Sequence, residues 1–219
     1  MSPPRPADDG IVLVSCYELG RQPLGVATPA AFLRRAGFEP RVLDLAARRL
    51  DDLTPDDWSD AWLVAVSVPM HTALRLGVRA LAGIRERAPR ATIVFHGLYA
   101  NLNAEHLFDR GVDAILGGET ESALVAIAEA LSERRPIDGI DGVGTPGRRP
   151  QPLLERLDYV APDRAGLPAH DTYAALSIDG EHRRAAAVES TRGCKHRCSH
   201  CPIPALYDGR FVAIPVEVV

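Results

Sequence analysis

Five short apolar runs, separated by stretches of helical periodicity, occupy the first 135 residues and leave few ways to fold. Ile11–Cys16 is apolar and rich in β-branched residues, the pattern of a strand buried on both faces. Arg41–Leu45, Trp62–Val68, Ala91–Phe95 and Val112–Leu116 supply four more candidate strands. Between the first two, Thr28 is expected to cap a helix with Pro29 at its first position, Phe32, Leu33 and Ala36 on one face, and a stop at Gly37. Leu74, Val78, Leu81 and Ile84 form the apolar stripe of the next helix. A short helix is expected around Glu105–Asp109, ending at Gly111, and a longer one after Gly117-Gly118, running to about Ser132 with Leu124, Ile127 and Leu131 inward. The acidic stretch Asp51–Asp60 reads as irregular, with Trp58 folded onto the core. Strands alternating with amphipathic helices predict a doubly wound parallel sheet, and five of them suit the flavodoxin-like order 2-1-3-4-5. Such sheets bind ligands at the carboxyl ends of their strands, here Ser15–Gly25, Ser67–Thr72, His96–Asn103 and Gly117–Glu121.

Composition divides the chain further. Residues 1–10 contain Pro and Asp and read as a loose tail; residues 11–135 are the α/β domain. Residues 136–184 are rich in Gly and Pro and read as a linker, with a strand at Gly139–Gly144 completing the sheet. In residues 185–219, Ala185–Val188 is expected to be a strand, and Ile214–Val218 looks like the start of a helix. A net charge of −4 points away from nucleic acid and anionic membrane surfaces, and no apolar run approaches the roughly 20 residues of a membrane span. The start has neither the basic region nor the apolar stretch of a signal peptide, so a cytoplasmic setting with reduced thiols is the expectation. The sole lysine is Lys195, and a Lys-poor, GC-rich coding bias explains that.

Cys194, Cys198 and Cys201 stand in the spacing C-x3-C-x2-C. A closed zinc site or an ordinary iron–sulfur cluster asks for four ligands. Three thiolates on one loop leave one iron of a cubane open for another ligand. Two alternatives compete: zinc held by the three cysteines with His196 or His200, and three unliganded thiols. Cys16, at the end of the first run, reads as a buried core residue.

The stretch Val188-Glu189-Ser190-Thr191-Arg192-Gly193-Cys194, the cysteine spacing, Cys201-Pro202 and Gly209-Arg210-Phe211-Val212 together resemble the radical S-adenosylmethionine (radical SAM) enzymes. The resemblance implies a [4Fe–4S] cluster on Cys194, Cys198 and Cys201, with S-adenosylmethionine on the open iron. It implies reductive cleavage to a 5′-deoxyadenosyl radical, with an electron from a donor such as flavodoxin or ferredoxin. The position before the last cysteine, commonly aromatic and beside the adenine, is His200. The run around the cysteines also resembles a bacterial subgroup named for a Cys/selenocysteine-Ala-Glu-Pro tail, a tail this sequence lacks.

The first domain resembles the cobalamin-binding domain that precedes the catalytic barrel in one class of these proteins. Gly111-Val112-Asp113-Ala114-Ile115-Leu116-Gly117-Gly118-Glu119-Thr120-Glu121 carries that likeness. It implies cobalamin contacts at Ser67, Gly97, Gly117, Gly118 and Glu119, with His71 lining the cavity. The D-x-H-x-x-G stretch that supplies an axial histidine is replaced by Ser15-Cys16-Tyr17-Glu18-Leu19-Gly20. A tyrosine of pKa about 10 is a poor cobalt ligand, so any cobalamin lacks a histidine below the metal. Members of this class that keep the fold without the cofactor leave that alternative open.

A full barrel takes at least about 200 residues, and 18 follow Cys201. The expectation is therefore the opening of an incomplete barrel, inactive alone: either a truncated gene product or a split protein completed by another chain. The other reading is a non-catalytic corrinoid- or partner-binding module with a vestigial or zinc-binding tail.

Overall fold

The computed structural model describes residues 10–219, so the tail expected at 1–10 lies, apart from Gly10, outside the described residues. Six strands form the main sheet: β1 (Ile11–Ser15), β2 (Arg41–Asp44), β3 (Leu63–Ser67), β4 (Thr92–His96), β5 (Ala114–Leu116) and β6 (Val143–Gly144). Their order is β2-β1-β3-β4-β5-β6. The first five run parallel, as flavodoxin-like topology demands, and β6 closes the edge antiparallel to β5.

Alternate residues along each strand point to opposite faces, and helices cover both. Helices α1 (Leu24–Arg35) and α5 (Thr120–Ser132) pack Val26, Leu33, Leu124 and Ile127 against Ile11, Leu13, Leu63 and Ala65. On the other face, α2 (His71–Arg87), α3 (Leu98–Leu102) and α4 (Ala104–Phe108) pack Leu74, Ile84, Ala100 and Leu107 against Val12, Val14, Val64 and Val66. Trp58 lies buried in that second core, as its acidic setting did not obscure. No helix among the described residues is long and apolar enough to cross a membrane.

Three local expectations are corrected. The first helix begins at Leu24, not Thr28, and both Thr28 and Pro29 are buried inside it. The cause is tertiary: Glu18 reaches over the helix end and accepts hydrogen bonds from the N–H groups of Leu24 and Gly25 at 2.9 and 2.8 Å. Satisfying those donors from outside starts the helix early and leaves Pro29 to interrupt one backbone bond within it. The strand expected at Ala185–Val188 forms instead at β9 (Thr191–Gly193). Its partner, β10 (Phe211–Ala213), pairs antiparallel with it, and that pairing sets which residues are extended. At Ile214–Val218 there is a turn rather than a helix.

The linker is tied down along most of its course. Leu157 and Tyr159 bury against Phe32 of α1. The backbone N–H of Asp163 bonds to the carbonyl of Ala27, and Tyr173 donates its hydroxyl to Asp44 at 2.7 Å. It also carries a small exposed hairpin, β7 (Leu176–Ile178) and β8 (Glu181–Arg183). A last helix, α6 (Ile203–Tyr207), follows the cysteine loop and packs on α3.

Candidate functional site at the carboxyl edge of the sheet

Four neighbouring strands end in polar residues held level by the sheet register. Ser15 pairs with Asp44 and with Ser67, and Ser67 pairs with His96. All four are at most 4% exposed. A row of buried polar groups across otherwise apolar strands has a cost unless the groups find partners. Asp44 finds Tyr173, but the His96 Nε2 has no hydrogen-bond partner among the described residues. Burial holds His96 down to about 4, with Glu121 pulling the other way, so its imidazole is neutral near pH 7.

These ends open onto a cleft of about 390 Å³ at the topological switch point between β1 and β3. Glu18, Ser67, His96 and Gly97 line its floor. Its roof is the chain on either side of the cysteine loop, including Arg192, Gly193 and Tyr207. Two glycines are dictated by crowding. A Cβ on Gly25 would overlap the Ser67 hydroxyl and the Glu18 carboxylate, and Gly97, at φ +94°, lies against the Val68–Pro69 backbone.

Glu18 is the cleft's most perturbed acid. Burial pushes its carboxyl up to about 7, opposed by the Gly25 and Leu24 N–H groups and reinforced by Asp44 and Glu189. The folded chain therefore holds this proton more tightly than the unfolded chain, whose value is 4.5. The resulting stability is full below about 4.5 and is lost as pH rises through about 7. Urea unfolding at successive pH values should show wild type losing up to about 3 kcal/mol relative to Glu18→Gln across that window. A difference that stays flat with pH would contradict this.

A buried ion cluster joins floor to roof. Arg192 places one guanidinium nitrogen 2.5 Å from Glu119 and 3.0 Å from Glu121, a second 2.6 Å from Glu121, and Nε 2.9 Å from Glu189. The Arg192 side chain is 10% exposed and that of Glu119 is 1% exposed. Burial works against the Arg192 charge, but the carboxylates, Glu121 foremost, outweigh it and raise its pKa. Burial also raises Glu119 and Glu189, against the pull of Arg192.

Of the residues singled out in the sequence, Ser67, Gly97 and Gly118 line the cleft. Gly117 faces Asn101, and its N–H and carbonyl bond to Gly142 and Leu153. Glu119 points into the Arg192 cluster. His71 stands exposed at the first residue of α2, edge-on to Tyr99 and outside the cleft lining. Cys194, Cys198 and Cys201 are free thiols on a half-buried to exposed loop, and His200 is exposed beside them. Among the described residues no three His, Cys, Asp or Glu side chains converge tightly enough to share a metal ion. Cys16 is buried in the core, as expected, and burial pushes its thiol up to about 12. Arg192 and Tyr207 carry no local signal of their shared contact, because they meet Glu119 only across 73 and 88 positions of chain.

Residues 10–128 match the family model described as the B12 binding domain. Over 208 residues the chain is 29% identical to the hopanoid C-3 methylase of Methylococcus capsulatus, covering 90% of this chain and 38% of that protein. The chain thus spans well under half the length of this curated relative. Among solved structures, it resembles the radical S-adenosylmethionine methyltransferase TsrM of Kitasatospora setae with cobalamin and a [4Fe-4S] cluster bound (TM-score 0.67, 23% identity, 95% of this chain and 44% of that one). It also resembles the cobalamin-dependent radical enzyme OxsB with aqua-cobalamin and S-adenosylmethionine bound (TM-score 0.65, 17% identity, 87% and 28%). At these identities the two structures are likenesses of fold.

Proposed function

Because this chain belongs to the B12-binding domain family, we propose that it holds a corrinoid against the carboxyl edge of its sheet, within the N-terminal part of a cobalamin-dependent radical SAM methylase. The observation that carries the reading is the switch-point cleft, whose wall keeps the buried His96 Nε2 unpartnered. A neutral imidazole at that depth offers a hydrogen bond to a bound polar group without charging. Glycines at 25, 97 and 118 let backbone approach a large flat ligand closely. Ser15-Cys16-Tyr17 stands in place of D-x-H, so this stretch would offer a corrinoid no histidine ligand.

Cys194, Cys198 and Cys201 are the proposed cluster ligands, on the chemistry of the donor set: three free thiols in one half-buried to exposed loop whose flanks roof the same cleft. His200, exposed next to Cys201, is the proposed neighbour of the S-adenosylmethionine adenine. When bound, these groups supply methyl transfer and the electron that cleaves the sulfonium. The chain's own residues position them and limit water at the cleft. A small flavodoxin or ferredoxin is the proposed electron donor, and residues outside this chain are proposed to complete the barrel and contact the substrate.

Two measurements test the reading separately. Titration with hydroxocobalamin should give a saturable absorbance change at one corrinoid per chain, and no change at saturation would overturn the corrinoid assignment. Anaerobic iron–sulfide reconstitution should give a cubane electron paramagnetic resonance signal that shifts on adding S-adenosylmethionine. Stoichiometric zinc without iron uptake would leave a corrinoid-binding module with a zinc-holding tail.

A further inference from the structure

Both ends of the cysteine loop are tied to one carboxylate. Arg192, two residues before Cys194, pairs with Glu119 through Oε2 at 2.5 Å. Tyr207, six residues after Cys201, donates its hydroxyl to the other oxygen, Oε1, at 3.1 Å. Glu119 itself belongs to the turn between β5 and α5, and its backbone N–H bonds to the Leu153 carbonyl at 2.6 Å. The residue is therefore pinned at the turn that leaves β5, while both donors to its carboxylate belong to the loop's flanks. We propose that Glu119 is a positioning residue for the cysteine loop, a single clasp that closes the loop from both sides and sets its place over the sheet edge.

The surroundings fit a clasp more than a simple surface contact. Glu121 shares Arg192 bidentately, and Glu189 takes its remaining nitrogen, so the guanidinium is held in one orientation. Gly193, between Arg192 and Cys194, has φ +72°, and a Cβ there would overlap the Arg210 carbonyl. The chain thus turns sharply away from the clasp into the loop, a conformation glycine adopts at little cost. After the loop, α6 carries Tyr207 back, with Leu206 buried beside it. Both flanks converge on one acceptor, so loss of Glu119 unties Tyr207 and takes one carboxylate from Arg192, which keeps Glu121 and Glu189, whereas loss of the Tyr207 hydroxyl affects one flank alone.

The chain contains its own reporter. Its single lysine, Lys195, lies inside the loop, so a lysine-specific endoprotease has one target, the Lys195–His196 bond. Cleavage there follows the fraction of molecules whose loop is open when opening and closing are fast. In the metal-free full chain, Glu119→Met should speed this cleavage about tenfold, because charge-assisted hydrogen bonds at both flanks are lost. Tyr207→Phe, which deletes only a hydroxyl and keeps the ring, should speed it about threefold. In the double variant Tyr207→Phe should add nothing, since its acceptor is already gone. Ile127→Val, which trims one methyl from the middle of α5 and removes no hydrogen bond of the clasp, should leave the rate unchanged.

Unchanged cleavage in both single variants would overturn the proposal. So would effects of Glu119→Met and Tyr207→Phe that multiply independently, or acceleration by Ile127→Val equal to theirs. If Glu119→Met does not fold, Tyr207→Phe set against Ile127→Val decides the matter alone. The assay uses neither iron nor corrinoid, so its failure is separate from any failure of the cofactor assignments.

Discussion

Arg192→Met is expected to destabilise the folded chain by about 3–5 kcal/mol near pH 7, the range for breaking a buried ion pair by removing one partner. The reason is what remains. Glu119 would keep only the Tyr207 hydroxyl, and Glu121 would lose both of its bonds to the guanidinium. Both carboxyls are almost fully buried. Burial already raises Glu119 against the pull of Arg192, so without the cation this carboxyl takes up a proton more readily, and the variant's deficit should shrink as the pH is lowered. Adding Glu119→Gln and Glu121→Gln to Arg192→Met should recover most of the loss, because replacing a whole buried cluster is far cheaper than halving it. Urea unfolding of the three proteins at two pH values measures this. A loss below about 1 kcal/mol, typical of solvent-exposed pairs, would mean that the cluster is wet in solution.

Phe95→Ala is expected to cost about 3–5 kcal/mol, the range for truncating a buried aromatic side chain. Phe95 is fully buried in β4, the strand that delivers His96 and Gly97 to the cleft. The ring edge lies against α2 at Gly77, where an added Cβ would stand 3.1 Å from Phe95 Cε1. That close approach means the neighbours cannot collapse far to fill the space left behind, which places the cost toward the upper end. Phe211, 45% exposed, is the control: Phe211→Ala should change stability by no more than about 0.5 kcal/mol. Equal losses at the two positions would show that the sheet is not the stabilising unit. Loss of corrinoid affinity in a folded Phe95→Ala chain would further tie β4 packing to the cleft.

Local pattern carried the fold because its signals are local. β-branched apolar runs such as Ile11–Cys16 and stripes such as Leu74–Ile84 are set by the two backbone periodicities and need no distant partner to be read. Glycine ends at Gly37 and Gly111 likewise follow from φ values of +87° and +83° that few other residues adopt. The first helix shows where such reading stops. Thr28-Pro29 is a sound start signal, but Glu18 caps the chain earlier from outside the helix. The strand in the last segment moved from Ala185–Val188 to Thr191–Gly193 for a similar reason, since a two-stranded ribbon takes its register from its partner.

By itself the sequence determined the alternation of strands and helices, hence the parallel sheet, its carboxyl edge and the three-cysteine spacing. Tertiary structure alone decided that His96 keeps a buried unpartnered nitrogen, that Glu18 holds a proton near neutrality, and that Glu119 meets both Arg192 and Tyr207. The division has one physical cause. Periodicity and turn chemistry act over a few neighbouring residues, whereas burial and charge pairing depend on groups brought together across 73 and 88 positions of chain.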